Sequence, residues 1–370
     1  MTSAFSVAAC SCMTLTSESG NNYWFRTCDI DTDIWKEGAH IVSFPAGEKI
    51  AFCGREEEKC HYGFMGMTND EKDTWLLDGV NTEGLAGGLL LLVEGTSIES
   101  PQEACMEYEG YVGMELVTKF LSSCKNVVDV IKLAEKIQVC SVPYEGLNVP
   151  STMHYFFTDA LGDEVVLEAS DKANPGIFAI YQKKDSIGIM TNSPTYPEQI
   201  SNLSWYISAS PELKYGLKGS AFQSLDFGGR KIKGDANAKH FLRSDTFPAS
   251  YCSYDRFVRL SVLKALNDGG RNFSDDKILA FGSGIMSAVF EPRSKGVFHY
   301  TGFDEQERPV GQKNGCTQYL VMYDVTRKKM YLRALDEVAF TVYELSRCDK
   351  EKVIKYRVKH EGMAGILCGN

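Results

Sequence analysis

The fold is decided near the start of the chain by three consecutive stretches, Cys10-Ser-Cys-Met-Thr-Leu-Thr16, Ser17-Glu-Ser-Gly-Asn-Asn22 and Tyr23-Trp-Phe-Arg-Thr27. Apolar and polar residues alternate in the first, small turn-forming residues fill the second, and aromatic residues dominate the third. This pattern predicts a β-hairpin. If its turn is centred near Gly20, residue 10 lies across from residues 29 to 31 on the second strand, which contain two aspartates.

Cys10 is the residue of this hairpin with the clearest chemical potential. A small, uncharged leader, residues 1–9, precedes it. If the leader is removed, Cys10 carries both a thiol and a free α-amine, and an amine with a pKa near ~8 can accept the thiol proton. A nucleophile with its own base is the N-terminal-nucleophile arrangement.

The second strand supplies charged candidates for the same site. Asp29 and Asp31 could hold the amine, and Arg26 could stabilise a thiolate. Arg26 and Asp29 are three residues apart and would face opposite ways on a regular strand, so the chain must bend or end at residues 27–28 if both serve Cys10. On these residues alone, an ordinary surface ion pair beside a buried cysteine also stays open.

The composition limits the classes of partner that the protein can have. The chain has 370 residues, 44% of them hydrophobic, and a net charge of −10, which argues against nucleic acid or an anionic membrane as the main partner. The longest apolar run, residues 85–93, is too short to span a bilayer. The leader lacks the charged and apolar regions of a secretory signal, and residues 7–10 resemble a lipoprotein cleavage box without the apolar helix that precedes one.

Cysteine usage indicates a reducing compartment. The chain has 12 cysteines and 6 histidines, and their spacing matches no disulfide framework and no zinc pattern. Free buried thiols in the cytoplasm explain most of them. We therefore expect no metal and no cofactor.

The order of predicted elements points to one α+β domain over residues 10–370. Strands dominate the first third, helical spacing follows over residues 103–138 with a cap at Asn126, and strands return at 154–158 and 164–168. Helices are expected at 253–267 and, capped by Ser274, at 275–287, before a meander that ends near residue 345. Two antiparallel sheets with helices outside them, a four-layer αββα sandwich, satisfy this order.

Several blocks in register resemble the choloylglycine hydrolases, the family of bile salt hydrolases and penicillin V acylases. Cys10 precedes Arg26 by sixteen residues and Asp29 by nineteen, the intervals that the family keeps in its opening hairpin. The further matching blocks are Asp78-Gly-Val-Asn-Thr-Glu-Gly-Leu85, His154-Tyr-Phe-Phe-Thr-Asp159, Gly188-Ile-Met-Thr-Asn-Ser-Pro194 and Asp255-Arg-Phe-Val-Arg259.

The resemblance implies an N-terminal-nucleophile hydrolase that cuts linear amides through an acyl thioester on Cys10. Asp29 would orient the amine, Arg26 would favour the thiolate, and Arg256 would add positive charge behind the site. Asn192 would donate its side-chain amide to the developing oxyanion. A small-molecule N-acyl substrate and a homotetramer are also implied.

One position departs from the family pattern. Where the family has Asn or Tyr on the strand after the Gly-Leu turn, this chain has Leu91. Its backbone N–H can still serve the oxyanion, but the polar group facing the substrate is lost. An apolar acyl group therefore becomes more plausible, and conjugated bile salts, phenoxyacetyl penicillins and fatty N-acyl amides or N-acyl homoserine lactones all stay open.

Alternatives remain at each level. Cys12 shares the strand face of Cys10, but counting from it breaks both family intervals. His154 could be the base of a Cys–His mechanism. An acyltransferase that passes the thioester to an amine, and a binding protein whose leader is never removed, are the functional alternatives.

Overall fold

The structure, a computed structural model, describes most of the chain from Cys10 onward. The described residues are 10–30, 33–141, 153–207, 224–235, 247–292, 299–303, 309–313, 315–347 and 350–358. The leader and Asp31, to which the sequence assigned roles, lie outside them. Among the described residues, no helix is both long and apolar enough to cross a membrane.

The strands are numbered in chain order. The first twelve are β1 (Ser11–Thr16), β2 (Asn22–Ile30), β3 (His40–Phe44), β4 (Lys49–Ala51), β5 (Glu57–Lys59), β6 (Phe64–Thr68), β7 (Leu76–Asn81), β8 (Leu85–Leu91), β9 (Glu109–Val112), β10 (Ile137–Cys140), β11 (Met153–Asp159) and β12 (Glu164–Glu168). The others are β13 (Ala179–Gln182), β14 (Ile189–Met190), β15 (Ser224–Asp226), β16 (Lys231–Lys233), β17 (His299–Phe303), β18 (Pro309–Lys313), β19 (Cys316–Asp324), β20 (Lys329–Ala334), β21 (Thr341–Glu344) and β22 (Ile354–Tyr356).

Two large antiparallel sheets organise these strands. One has six strands in the order β14-β1-β2-β19-β20-β21, and the other has eight in the order β13-β12-β11-β8-β7-β6-β3-β22. The α-helices are α1 (Leu116–Ser123), α2 (Val127–Ala134), α3 (Tyr196–Tyr206), α4 (Ser253–Leu266) and α5 (Asp275–Ser287). Helices α1 and α2 contact the eight-stranded sheet, whereas α4 and α5 contact the six-stranded sheet. The predicted α+β sandwich with two antiparallel sheets is confirmed.

Side-chain alternation along β2 shows how the layers meet. Trp24 faces the eight-stranded sheet, because a Cβ atom on Gly88 of β8 would lie 2.9 Å from its ring. Phe25, the next residue, faces the outer helix, since a Cβ atom on Gly282 of α5 would lie 2.3 Å from its ring. Glycine at these two points lets a sheet and a helix approach the neighbouring layer closely.

The opening hairpin forms as predicted, but its register differs. Thr16 pairs with Asn22 and Ser11 pairs with Thr27, so residue 10 lies opposite Cys28 and not opposite residues 29 to 31. The physical reason is the turn: the loop runs over residues 17–21 and is therefore centred on residue 19, one residue earlier than expected. Gly20 supplies the positive φ of 84° that this turn needs.

The turn of this hairpin is held by helix α5. Asp275, in the first turn of α5, accepts hydrogen bonds from the Ser17 and Ser19 hydroxyls at 2.5 and 2.8 Å and from the Asn21 side-chain amide at 2.6 Å. A carboxylate is favourable there because the helix N-terminus carries partial positive charge. Ser274 occupies the N-cap position of α5, as predicted, but its side chain makes no capping bond.

The middle of the chain also needed correction. Helical spacing was expected throughout residues 103–138, but β9 and β10 occupy its two ends and pair in parallel with each other. β-Branched and aromatic residues there favour strands once a partner is available. The predicted cap of α2 is confirmed, since the Asn126 side chain accepts a bond from the Asp129 N–H at 3.0 Å.

Two glycines of α5 test the packing of the outer layer. We expect Gly282→Ala to destabilise the protein by about 1–3 kcal/mol, because its new methyl group would overlap the buried Phe25 ring. The matched control is Gly284→Ala in the same helix, where a Cβ atom would meet nothing within 4 Å. It should stabilise by about 0.5–1 kcal/mol through helix propensity. Chemical denaturation measures both, and equal effects would contradict this packing.

Candidate active site

Cys10 lies immediately before β1, buried between the two large sheets. Only 2% of its surface is exposed. Its Sγ accepts a hydrogen bond from Nη2 of Arg26 at 3.4 Å and one from the backbone N–H of Asp29. The sulfur therefore faces two donors, an arrangement that favours an anion over a neutral thiol.

A second thiol completes the surroundings of this sulfur. The same Arg26 Nη2 atom lies 3.9 Å from Cys28 Sγ, and the two thiols hydrogen-bond to each other. The bond from Cys28 is the largest influence on the pKa of Cys10 and lowers it; burial opposes it, and the charge and hydrogen bond of Arg26 add to it, so that the pKa falls to about 5. Burial raises the pKa of Cys28 itself. Cys10 is thus the thiolate and Cys28 its donor.

Arg26 is fixed by the opposite sheet. Its Nη1 lies 2.8 Å from Oδ2 of Asp78 on β7 and donates to the Leu77 carbonyl at 2.5 Å. Asp78 also accepts the hydroxyls of Tyr319 and Tyr323, each at 2.6 Å. All four charged and phenolic side chains are buried. Because every oxygen and nitrogen named is bonded, the guanidinium cannot turn away from Cys10 without leaving a buried carboxylate unpaired.

Asp29 is a buried carboxylate held by hydroxyl groups. Its two oxygens accept bonds from Thr317 Oγ1 at 2.5 Å and from Thr27 Oγ1 at 2.9 Å. Burial, followed by the charge of Glu291, raises its pKa well above the usual range, against the opposing charge of Arg256. This carboxyl group therefore lacks a close cationic partner in the chain as described.

The sequence required the strand to bend or end at residues 27–28 if Arg26 and Asp29 share one site, and the strand does not end there. β2 continues to Ile30, and the irregularity lies on its neighbour: β19 carries a bulge between Thr317 and Tyr319, opposite Cys28 and Asp29. A bulge increases local twist and re-aims side chains. Next to this bulge, the Arg26 side chain and the Asp29 backbone N–H both reach the Cys10 sulfur.

Arg256 joins Cys10 to Asn192. From helix α4, its Nη1 donates to the Cys10 carbonyl and to Ser11 Oγ, each at 2.6 Å, while Nη2 donates to Asn192 Oδ1 at 3.1 Å. With Oδ1 occupied, the amide nitrogen of Asn192 points the other way and donates to the Leu91 carbonyl at 3.0 Å. That nitrogen has two hydrogens, so one remains for a ligand.

The segment that carries Asn192 is anchored through its backbone. The Asn192 carbonyl accepts bonds from Ser253 Oγ at 2.9 Å and from Gln199 Nε2 at 3.1 Å. Ser253 and Gln199 belong to α4 and α3, so two helices fix the position of one amide. Such rigid support is what an oxyanion donor requires.

The structure brings together Cys10, Arg26, Asp29, Asn192, Arg256 and Leu91, the six residues that the sequence singled out. The sequence reasoning gave no role to Cys28, Thr317, Tyr319, Tyr323 and Gln199. The two tyrosines are four residues apart on one strand and so share a face, a period-2 signal that could have found them. The position of the Cys28 thiol opposite Cys10 could be recognised only once the register was known.

The two rival residues have other roles. Cys12 is fully buried, and burial raises its pKa, which keeps it a neutral thiol. His154 Nδ1 lies 2.8 Å from Glu168 Oε1, and Glu168 in turn accepts the backbone N–H of Tyr196 at the start of α3. His154 therefore supports α3 through Glu168, and its bonded partner is not Cys10.

Comparison with known proteins gives a consistent result. The model of the family described as linear amide C–N hydrolases, choloylglycine hydrolase family, matches residues 10–352. The chain belongs to the choloylglycine hydrolase family. It is accordingly an enzyme that hydrolyses carbon–nitrogen bonds of linear amides.

Individual family members are similar at low identity. A bile salt hydrolase/transferase of Clostridium perfringens is 25% identical over 69% of this chain and 71% of its own length. A bile salt hydrolase/transferase of Lactiplantibacillus plantarum is 23% identical over 95% of this chain and 98% of its own length. Among solved structures, a variant of conjugated bile acid hydrolase from Clostridium perfringens aligns with a TM-score of 0.70 at 18% identity over 95% and 97% of the two chains. The structure of penicillin V acylase from Agrobacterium tumefaciens aligns with a TM-score of 0.67 at 19% identity, over 93% of this chain and 90% of its own.

The electrostatics of the site predict its pH dependence. Alkylation of Cys10 by iodoacetamide requires the thiolate, so its rate should fall as the pH drops through about 5 and stay level up to neutral pH. In Cys28→Ala, which removes the donor, the midpoint should rise. Cys28→Ser keeps a donor and is the matched control. Peptide mass spectrometry follows the Cys10 adduct; a midpoint in Cys28→Ala equal to that of the unmodified sequence would contradict this assignment.

Proposed function

We propose that this family member is an N-terminal-nucleophile cysteine amidase. Residues 1–9 are removed, by the protein itself, and Cys10 becomes the first residue. The observation that carries the proposal is the contact of the Cys10 sulfur with a buried guanidinium, which in turn is locked to the opposite sheet. The family match begins at residue 10, which supports the same starting point.

The catalytic cycle uses the thiol and the amine of one residue. The α-amine takes the thiol proton, which gives a thiolate–ammonium pair. The thiolate attacks the amide carbonyl carbon, the C–N bond breaks, and the ammonium gives its proton to the departing nitrogen. The neutral amine then removes a proton from water, which attacks the thioester and releases the acid and the Cys10 sulfur.

Asp29 would be the partner of that amine. In the chain as described it is buried, its pKa is raised, and its bonds come from two hydroxyl groups. A buried carboxylate of this kind gains most from a nearby cation. The α-ammonium created by removal of the leader would supply it, on the residue whose sulfur the Asp29 backbone already contacts.

Asn192 and the backbone N–H of Leu91 would stabilise the oxyanion. The Asn192 amide is oriented by Arg256, and its nitrogen contacts Leu91. Arg256 also holds the Cys10 carbonyl, so nucleophile and donor are positioned by one guanidinium. Donors fixed in this way in a buried site need no reorganisation during the reaction.

The substrate would be an N-acyl amide with an apolar acyl group. Leu91 stands where the family has the polar residue Asn or Tyr, so this position offers an acyl chain an aliphatic side chain instead. Leu91 is partly buried and packs against the core. Two of the relatives are named bile salt hydrolase/transferase. Transfer of the acyl group to an added amine is therefore the second candidate reaction, and assays with and without an amine acceptor separate the two.

Removal of the nucleophile is the first test. We expect Cys10→Ala to abolish release of amine from a panel of N-acyl substrates while the protein still folds. Cys12→Ala, a matched change two residues along the same strand face, should keep turnover. Mass spectrometry of the unmodified protein should show a chain that starts at Cys10. An intact chain with full activity would disprove the proposed nucleophile.

Loss of the oxyanion donor is the second test. We expect Asn192→Ala to lower kcat by about 100- to 1000-fold with little change in KM, as for removal of one such donor. Ser193→Ala is the control, because it changes the residue next to Asn192 in the chain, whose hydroxyl accepts the Val93 N–H. Similar kinetics in both variants would remove Asn192 from the reaction.

A further inference from the structure

Cys10 and Cys28 lie directly opposite each other on neighbouring antiparallel strands. Ser11 pairs with Thr27 and Cys12 with Arg26, so the register, continued by one residue, pairs 10 with 28. Directly opposed residues in an antiparallel sheet have Cα atoms about 4.5–5.5 Å apart. This separation falls within the range of about 4.4–6.8 Å that a disulfide bond spans.

The two sulfurs also point to the same place. Both lie within reach of one nitrogen atom, Arg26 Nη2, at 3.4 and 3.9 Å, and the thiols are hydrogen-bonded to each other. Cys10 and Cys28 are both free thiols. Cys12 shares the face of Cys10 but stands opposite Arg26, whereas the residue opposite Cys10 is a second cysteine.

We propose that Cys10 and Cys28 form a reversible oxidation site, in which Cys28 resolves an oxidised Cys10. A peroxide gives one oxygen atom to the Cys10 thiolate, forming a sulfenic acid and releasing an alcohol or water. The Cys28 thiol then attacks that sulfur, a disulfide forms, and water leaves. The two thiols together lose two electrons, which the peroxide accepts, so the step is balanced.

The chemistry of the pair suits this role. A low-pKa thiolate beside a resolving thiol is the usual arrangement of a redox-sensitive cysteine. Formation of the disulfide leaves Arg26 paired with Asp78, so no buried charge loses its partner. The site rests on the proposed function in one respect: if Cys10 is the nucleophile, the disulfide switches the amidase off and a thiol reductant switches it on.

Peptide mapping after peroxide treatment tests the site without any assay of turnover. The purified protein is exposed to hydrogen peroxide, quenched with an alkylating reagent and digested. We expect a peptide pair joined through Cys10 and Cys28 with the loss of two hydrogens, and its disappearance after dithiothreitol. A free Cys28 beside Cys10 oxidised to sulfinic acid, or a bond from Cys10 to any other cysteine, would overturn the proposal.

Two serine variants sharpen the result. In Cys28→Ser, Cys10 should proceed to sulfinic acid, which dithiothreitol does not reduce. In Cys12→Ser, the joined peptide should persist. Because the mapping reads covalent bonds, an inactive protein that still forms the disulfide would refute the amidase mechanism alone, whereas an active protein without it would refute the oxidation site alone.

Discussion

The buried ion pair between Arg26 and Asp78 is the interaction on which the rest of the structure depends. It crosses from the six-stranded to the eight-stranded sheet, and two tyrosine hydroxyls saturate its carboxylate. Removing one partner of a buried pair costs about 3–5 kcal/mol, because the other charge stays buried. The pair therefore fixes how the sheets meet, and it leaves Nη2 of Arg26 directed at the Cys10 sulfur.

This arrangement couples folding to chemistry. A thiol buried on its own has a raised pKa, as Cys12 shows two residues away. Cys10 has the opposite shift because a neighbouring thiol, a guanidinium and a backbone N–H all face its sulfur. Arg256 performs the matching task on the other side, since it links the Cys10 carbonyl to the Asn192 amide. A rigid sandwich thus positions the proposed nucleophile and the proposed oxyanion donor before any substrate binds.

Much of the opening hairpin and of the candidate site could be predicted from the sequence, and the rest could not, for physical reasons. Alternation and turn residues gave the opening hairpin, and fixed intervals from Cys10 gave Arg26 and Asp29. The register could not be derived, because a one-residue shift of the turn centre changes every cross-strand partner; that shift hid Cys28. The bulge in β19 belongs to a strand almost 300 residues further along the chain, so no local pattern near Cys10 could reveal it.

The most direct test of the central claim is to map the acyl group during turnover. A slow N-acyl substrate is mixed with the enzyme, the reaction is quenched with acid within the first turnover, and the digested protein is examined by mass spectrometry. The account predicts an acyl group on the sulfur of an N-terminal Cys10, labile to hydroxylamine as a thioester. An acyl group on any other side chain would contradict it.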